Sequence, residues 1–101
     1  MPTIEQINKL LAKEPDDAFL NFALAMELAR NSRTAESIVQ FDRVIALDPN
    51  YTAAYFQKAR THIAAGDLEP AKAALRLGIE TANAIGNAHA AGEMSELLAS
   101  L

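Results

Sequence analysis

The chain contains no cysteine, which excludes a disulfide framework and any thiolate metal site, and removes the usual marker of redox compartment. Glycine and proline number only four each, so there is no glycine-rich loop to cradle a phosphate and few points at which a helix must break. No apolar run approaches the roughly 18 residues that span a bilayer. Met1-Pro2-Thr3 lacks a basic segment followed by a hydrophobic stretch, so neither a membrane span nor a signal peptide is expected and the expected location is cytoplasmic. Basic charge is also scarce. Nine Lys and Arg stand against thirteen Asp and Glu, a net charge of −4, and a surface of that sign repels nucleic-acid phosphate.

What the chain does have is a period. Glu14-Pro15-Asp16-Asp17 and Asp48-Pro49-Asn50-Tyr51 are similar tetrapeptides whose prolines lie 34 residues apart. Proline cannot continue a helix and pushes the preceding residue out of the helical region, so each marks one helix ending and another being capped. Half of the 101 residues are hydrophobic and alanine recurs throughout, as suits one domain of closely packed helices. Six helices are predicted. Thr3 opens the first as a capping box with Gln6. Asp16 or Asp17 caps the second, which runs to about Arg30; Thr34 caps the third, with Ile38, Phe41, Val44, Ile45 and Leu47 at helical spacing. Asn50 caps a fourth ending near Ala65. Gly66 supplies a left-handed C-cap, Asp67 caps the fifth and Pro70 lies in its first turn. Gly86-Asn87 precedes a last amphipathic helix, its stripe formed by Ala90, Met94, Leu97, Leu98 and Leu101 with Glu93 and Glu96 opposite.

The segment from Ala18 to Pro49 resembles the tetratricopeptide repeat (TPR), whose pattern runs W-x2-L-G-x2-Y, then A-x3-F, then P. Leu24, Ala25, Leu28, Ser37, Phe41 and Pro49 occupy successive slots, while Asn21 stands where the pattern has Trp. From Thr52 to Ala82, Tyr55, Ala59, Ala71 and Leu75 match, with departures at Lys58, His62 and Asn83. The last departure predicts a fifth helix that runs past its usual stop. Ile4 to Leu11 is similar to the second half of a preceding repeat, Ile7 standing for Phe. The resemblance implies an all-α, right-handed solenoid of antiparallel helix pairs. Its expected parts are an N-terminal helix or half repeat at 3–14, repeats at 18–51 and 52–85, and a capping helix at 86–101.

Catalytic readings find little footing. His62 and His89 lie on different predicted helices, and His89 with Glu93 one turn on offers two ligands where a stable metal site wants three or four. Glu93 and Glu96 share a terminal helix that encloses nothing, and catalytic carboxylate pairs need a pocket that desolvates one member. The serines have no local base and acid. Neither metal nor cofactor is therefore expected, and the chain is read as no enzyme. Arg30, Arg33, Arg43, Arg60 and Arg76 could form a patch, though charges at helix ends are more simply matched to the macrodipole. His62 occupies a slot that faces the partner helix of its repeat and reads as a packing residue.

In the TPR family the first helix of each repeat lines a concave groove that takes peptides or partner helices. By position the lining here is Phe19, Phe22, Met26 and Arg30, then Ala53, Phe56, Arg60 and Ile63. Phe19, Phe22 and Met26 recur at i, i+3 and i+7 on a face distinct from that of Leu20, Leu24 and Leu28, so both sides of that helix are apolar and need cover. Some members hold a C-terminal acidic peptide with a clamp of Lys and Asn. The corresponding positions hold Phe22, Met26 and Gln57, so the resemblance implies neither that clamp nor the chaperone-adaptor role. The expected function is a non-catalytic module binding another protein or peptide. The alternative is a homodimer whose groove is buried against a second copy, and filling of the groove by the chain's own end helices is a third possibility.

Overall fold

The computed structural model describes residues 2–101. Six helices follow in order: α1 Ile4–Lys13, α2 Ala18–Arg30, α3 Thr34–Leu47, α4 Thr52–Ala64, α5 Leu68–Ala84 and α6 Ala88–Ala99. There is no strand among the described residues, and consecutive helices pack against each other as an all-α solenoid.

Three helices begin as local chemistry dictates. Thr3 and Gln6 form a reciprocal capping box, Asp17 accepts the Leu20 amide at 2.8 Å, and Asn87 accepts that of Ala90 at 3.0 Å. The other three begin without a side-chain cap. Thr34 is already helical, and Arg33 precedes it as the cap residue. Tyr51 takes the place expected of Asn50, whose own amide is drawn back to Asp48 Oδ1 at 3.0 Å. Asp67 stands at the start of α5 but makes no capping bond. Two of these starts follow a turn of one kind. Ser32 and Gly66 take positive φ, and the next residue donates back across the turn, Arg33 to Leu28 and Asp67 to His62 at 2.9 Å each. These bonds satisfy the carbonyls of the ending helix, whether or not the next residue's side chain then caps the following one.

Lacking proline at position 83, α5 runs for 17 residues and ends on the same kind of turn, with Gly86 at φ +77 and Asn87 donating to Ala82 at 2.8 Å. Such a turn displaces α6, whose Ala91, Met94 and Leu98 repeat the spacing of Asn21, Leu24 and Leu28. Accordingly α6 packs on α5 and also reaches α4, as α4 packs on α3 and reaches α2.

The core is a chain of three clusters. Ile7 of α1 meets Leu24 and Leu28; Ala25, Phe41, Val44 and Ala54 follow; Tyr55, Ala59, Leu75, Ala82 and Met94 are the largest part of the third. Small residues sit where axes approach. Ser37 Oγ donates to the Ala25 carbonyl at 2.8 Å, and a Cβ placed on Gly78 would lie 2.5 Å from Met94 Sδ and 2.7 Å from Tyr55 Cβ. The residues in the two tryptophan slots share one solution. Asn21 Nδ2 donates to the Pro15 carbonyl at 3.1 Å, and Tyr55 OH donates to the Pro49 carbonyl at 2.7 Å. Each ties its helix to the turn that precedes it, and Gln40 further satisfies the Asn21 side-chain oxygen.

Candidate functional site

Helices α2, α4 and α6 share one face, with shallow depressions between them. The first, about 560 Å3, lies between α2 and α4 and is bordered by Met26, Ala29, Arg30, Gln57, Arg60, Thr61 and Ala64, with Ser32 and Thr34 from the intervening turn and helix. The second, about 330 Å3, lies between α4 and α6 and includes Ala53, Phe56, Gln57, His89, Ala90 and Glu93. Gln57 borders both.

The residues expected to line a groove divide by what they touch. Phe19 is 66% exposed. Phe22, half-buried, sets its ring edge-on to Phe41 at 5.9 Å and tilted against Tyr51 at 5.1 Å, so it belongs to the rim of the second core cluster as well as to the face. Met26 packs on the same cluster and borders the first depression. Phe56 borders the second depression while resting on the third cluster. Ala53 is exposed beside it. Ile63 packs against the third cluster and borders neither depression. The structure thus brings Met26, Arg30 and Arg60 around one hollow and places Phe56 and Ala53 at the other, while Phe19, Phe22 and Ile63 border neither.

The two arginines differ electrically. Arg30 forms an ion pair with Glu27 at 2.8 Å, and the guanidinium hydrogen bonds hold that carboxyl below its ordinary range against the opposing effect of burial. Arg60 has no acidic partner within ion-pair distance among the described residues, and its guanidinium lies over the Phe56 ring, 5.8 Å from the centroid. Arg33 pairs with Glu36 and Arg43 with Asp16, away from this hollow. Of the five arginines that could form a patch, only Arg30 and Arg60 border this hollow.

Sequence reasoning missed Gln57 as a bridging residue and the contribution of α6. Reading α6 only as a cap hid His89, Ala90 and Glu93; the spacing of Ala91, Met94 and Leu98 was the available signal. His62 packs half-buried with its Nδ1 buried and unpartnered, and burial pushes its pKa below the ordinary value, with Lys58 acting in the same direction. His89 Nε2 lies 3.2 Å from Glu93 Oε1 on an exposed surface, and no group of three or more His, Cys, Asp or Glu suited to a metal occurs among the described residues. None of the described helices is long and apolar enough to cross a membrane.

Comparison with known proteins agrees with the helical pairing. TPR repeat-containing protein PA0015 of Pseudomonas aeruginosa is 35% identical over 101 residues, which cover 97% of this chain and 93% of that one. The TPR2B domain of yeast Sti1, in a complex with pHsp70, is similar with a TM-score of 0.86 at 25% identity, covering 94% of this chain and 76% of that one. PcrH, in complex with the chaperone binding region of PopD, shares the fold with a TM-score of 0.87 at 17% identity, over 96% and 74% of the two chains. A family model described as Tetratricopeptide repeat matches residues 28–92. With paired helices, a 34-residue spacing and small residues at the helix contacts, the chain belongs to the tetratricopeptide repeat family, a fold of protein–protein interaction modules.

Proposed function

We propose that the protein is a non-catalytic interaction module that binds a peptide or partner helix across the face formed by α2, α4 and α6. The observation that carries this reading is the state of that face. Phe19 is 66% exposed, Phe22 and Phe56 are only half-buried, and the hollows beside α4 are not filled by α1 or α6. Aromatic side chains left partly in water, one of them Phe56 at the edge of an uncovered hollow, are what interface anchors look like before a partner arrives. The complex of the Sti1 TPR2B domain with pHsp70 supports a protein ligand for a domain of this shape.

The test uses a photo-crosslinking amino acid placed at Phe19 and, as control, at Val39, which is 68% exposed on α3. In cells that produce the protein, position 19 should give adducts to another polypeptide and position 39 should give none. Equal capture from both positions, or none from position 19, would refute the assignment. Adducts between two copies of the chain, with a mass in solution that rises with concentration, would replace it with the homodimer.

A further inference from the structure

We infer that copies of this chain add to one another end to end, α6 of one copy seating against α1 of the next so that the two complete a helix pair; this stands apart from the groove reading above. The inner helices are paired, α2 with α3 and α4 with α5, and α1 and α6 are left without a mate. Thr3, Gln6 and Leu10 stand 34 residues before Ser37, Gln40 and Val44, so α1 is a second helix without its first. Ala91 and Ser95 are the fourth and eighth residues of α6, as Asn21 and Ala25 are of α2 and Tyr55 and Ala59 of α4. It is a first helix without its second. Three contacts inside the pairs give the register. Ser37 Oγ donates to the Ala25 carbonyl at 2.8 Å, Gln40 donates to the Asn21 side chain, and a Cβ on Gly78, 34 residues after Val44, would lie 2.7 Å from Tyr55 Cβ. Carried to the ends, these contacts set Thr3 against Ser95 and both Gln6 and Leu10 against Ala91.

Size, exposure and charge agree with that register. Where Ala25 meets Ser37 and Ala59 has Ala71 as its counterpart, all four are fully buried and small; Ser95 and Thr3 are also small, yet exposed. At the other contact the volumes compensate, Tyr55 with Gly78 and Asn21 with Val44, and Ala91 leaves room for Leu10. Val44 is fully buried whereas Leu10 is 50% exposed, beside a hollow of about 670 Å3 bordered by Pro2, Gln6, Lys9 and Lys13. An exposed end of a helical stack is ordinarily polar. That hollow has two lysines and no acid among the described residues, while residues 77–101 contain Glu80, Glu93 and Glu96 and no Lys or Arg. Opposite charge favours head to tail over head to head or tail to tail. The two surfaces differ, so the contact does not close on itself, and each added copy exposes a fresh end. One helix pair is a small interface, so the association is weak.

The test combines two variants that each block one end. Leu10→Glu puts a carboxylate into the α1 hollow, and Ser95→Leu fills a slot whose counterparts Ala25 and Ala59 are fully buried. Sedimentation velocity from micromolar to millimolar concentration should show the unaltered chain growing into a ladder of oligomers that shortens as salt is raised. Either variant alone should associate at least about tenfold more weakly, as overpacking of a close contact does. Mixed, the two should form a dimer and nothing larger, because the Leu10→Glu copy keeps a sound α6 and the Ser95→Leu copy a sound α1. Both side chains are exposed in the single chain, so thermal unfolding at low concentration should hardly change; if Leu10→Glu does loosen α1, Lys13→Glu takes its place. A spin label on Ser100→Cys, in a chain with no other cysteine, locates the contact. It should broaden the α1 amides of an isotope-labelled unaltered copy and spare those of α3. A chain that stays monomeric at millimolar concentration, variants that associate as well as the unaltered chain, or a mixture without dimers would overturn the inference. So would broadening centred on α6, which means tail to tail, or on α2 and α4, which means that a second copy occupies the groove.

Discussion

Phe19 and Phe22 stand one turn apart on α2 and yet do different work. Phe22 touches Phe41 and Tyr51, whereas Phe19 is 66% exposed. Phe22→Ala should therefore lower stability by about 1 to 3 kcal/mol, less than the roughly 3 to 5 kcal/mol of a fully buried ring, and Phe19→Ala should change it by less than about 0.5 kcal/mol. Chemical denaturation of both variants measures this, and equal losses would contradict the division between rim and margin. Binding data on Phe22 variants must accordingly be read beside their stability. His62 makes a second prediction at this scale. Its folded-state pKa lies below the ordinary 6.5 because burial disfavours the imidazolium, and Lys58 adds to that. Between the unfolded and folded values the unfolded chain binds more protons, so this contribution to stability is present above about pH 6.5 and is lost as pH falls from there toward the folded pKa. Asp67 and Asp42 oppose the shift, and Asp42 is itself paired with Lys58 at 2.7 Å. Replacing His62 with Gln should flatten the stability profile across that window, and thermal unfolding from pH 7.5 down to 5.5 would reveal an unchanged slope if the reading is wrong.

Among the elements, α5 is positioned most tightly, because Gly78 lets it approach α4 and α6 at once. Gly78→Ala would gain about 1 kcal/mol of helix propensity, but the added methyl meets Tyr55 Cβ, which is fixed to the α4 backbone, as well as the movable Met94 sulfur. The clash should win by about 1 to 2 kcal/mol net. A rise in melting temperature would mean that the junction is looser than its geometry. This slot also explains how much of the fold was legible beforehand. The helix-contact positions Ala25, Ala59 and Ala71 and the proline spacing are written in residue types, and all three alanines are fully buried. The helix starts at Thr34 and Asn50 were misplaced because several polar residues in a row can each serve as a cap, and the choice among them goes with bonds inside the preceding turn, Arg33 to the Leu28 carbonyl in one and Asn50 to the Asp48 side chain in the other. The role of α6 was hidden for a related reason: a glycine turn in place of a proline turn moved its pattern off the 34-residue spacing. The candidate groove was less legible than the core. Helical spacing can place Phe22 and Ile63 on a face, but whether such a residue meets solvent or a neighbouring cluster depends on axis separation, which spacing does not encode.

Across the whole molecule, each helix is stabilised by its neighbours in line, and α1 has only α2 beside it. Its attachment runs through Ile7, 2% exposed against Leu24 and Leu28, with Ile4 and Leu11 packed on the same cluster. A stack held by nearest-neighbour contacts opens from its least supported end, so amide exchange should be fastest in α1 and slowest in α4 and α5, which lie between neighbours on both sides. Ile7→Ala separates this from a uniform fold. Removing that side chain is expected to cost about 2 to 5 kcal/mol locally, but the cost should appear mainly as faster exchange of the α1 amides, with the unfolding midpoint of the remaining helices only slightly lowered. Leu75→Ala, fully buried in the third cluster, should instead accelerate exchange in α4, α5 and α6 together and lower the midpoint of the whole protein. If Ile7→Ala lowers the global midpoint as far as Leu75→Ala does, α1 is an integral part of one cooperative unit and stability is not graded along the stack.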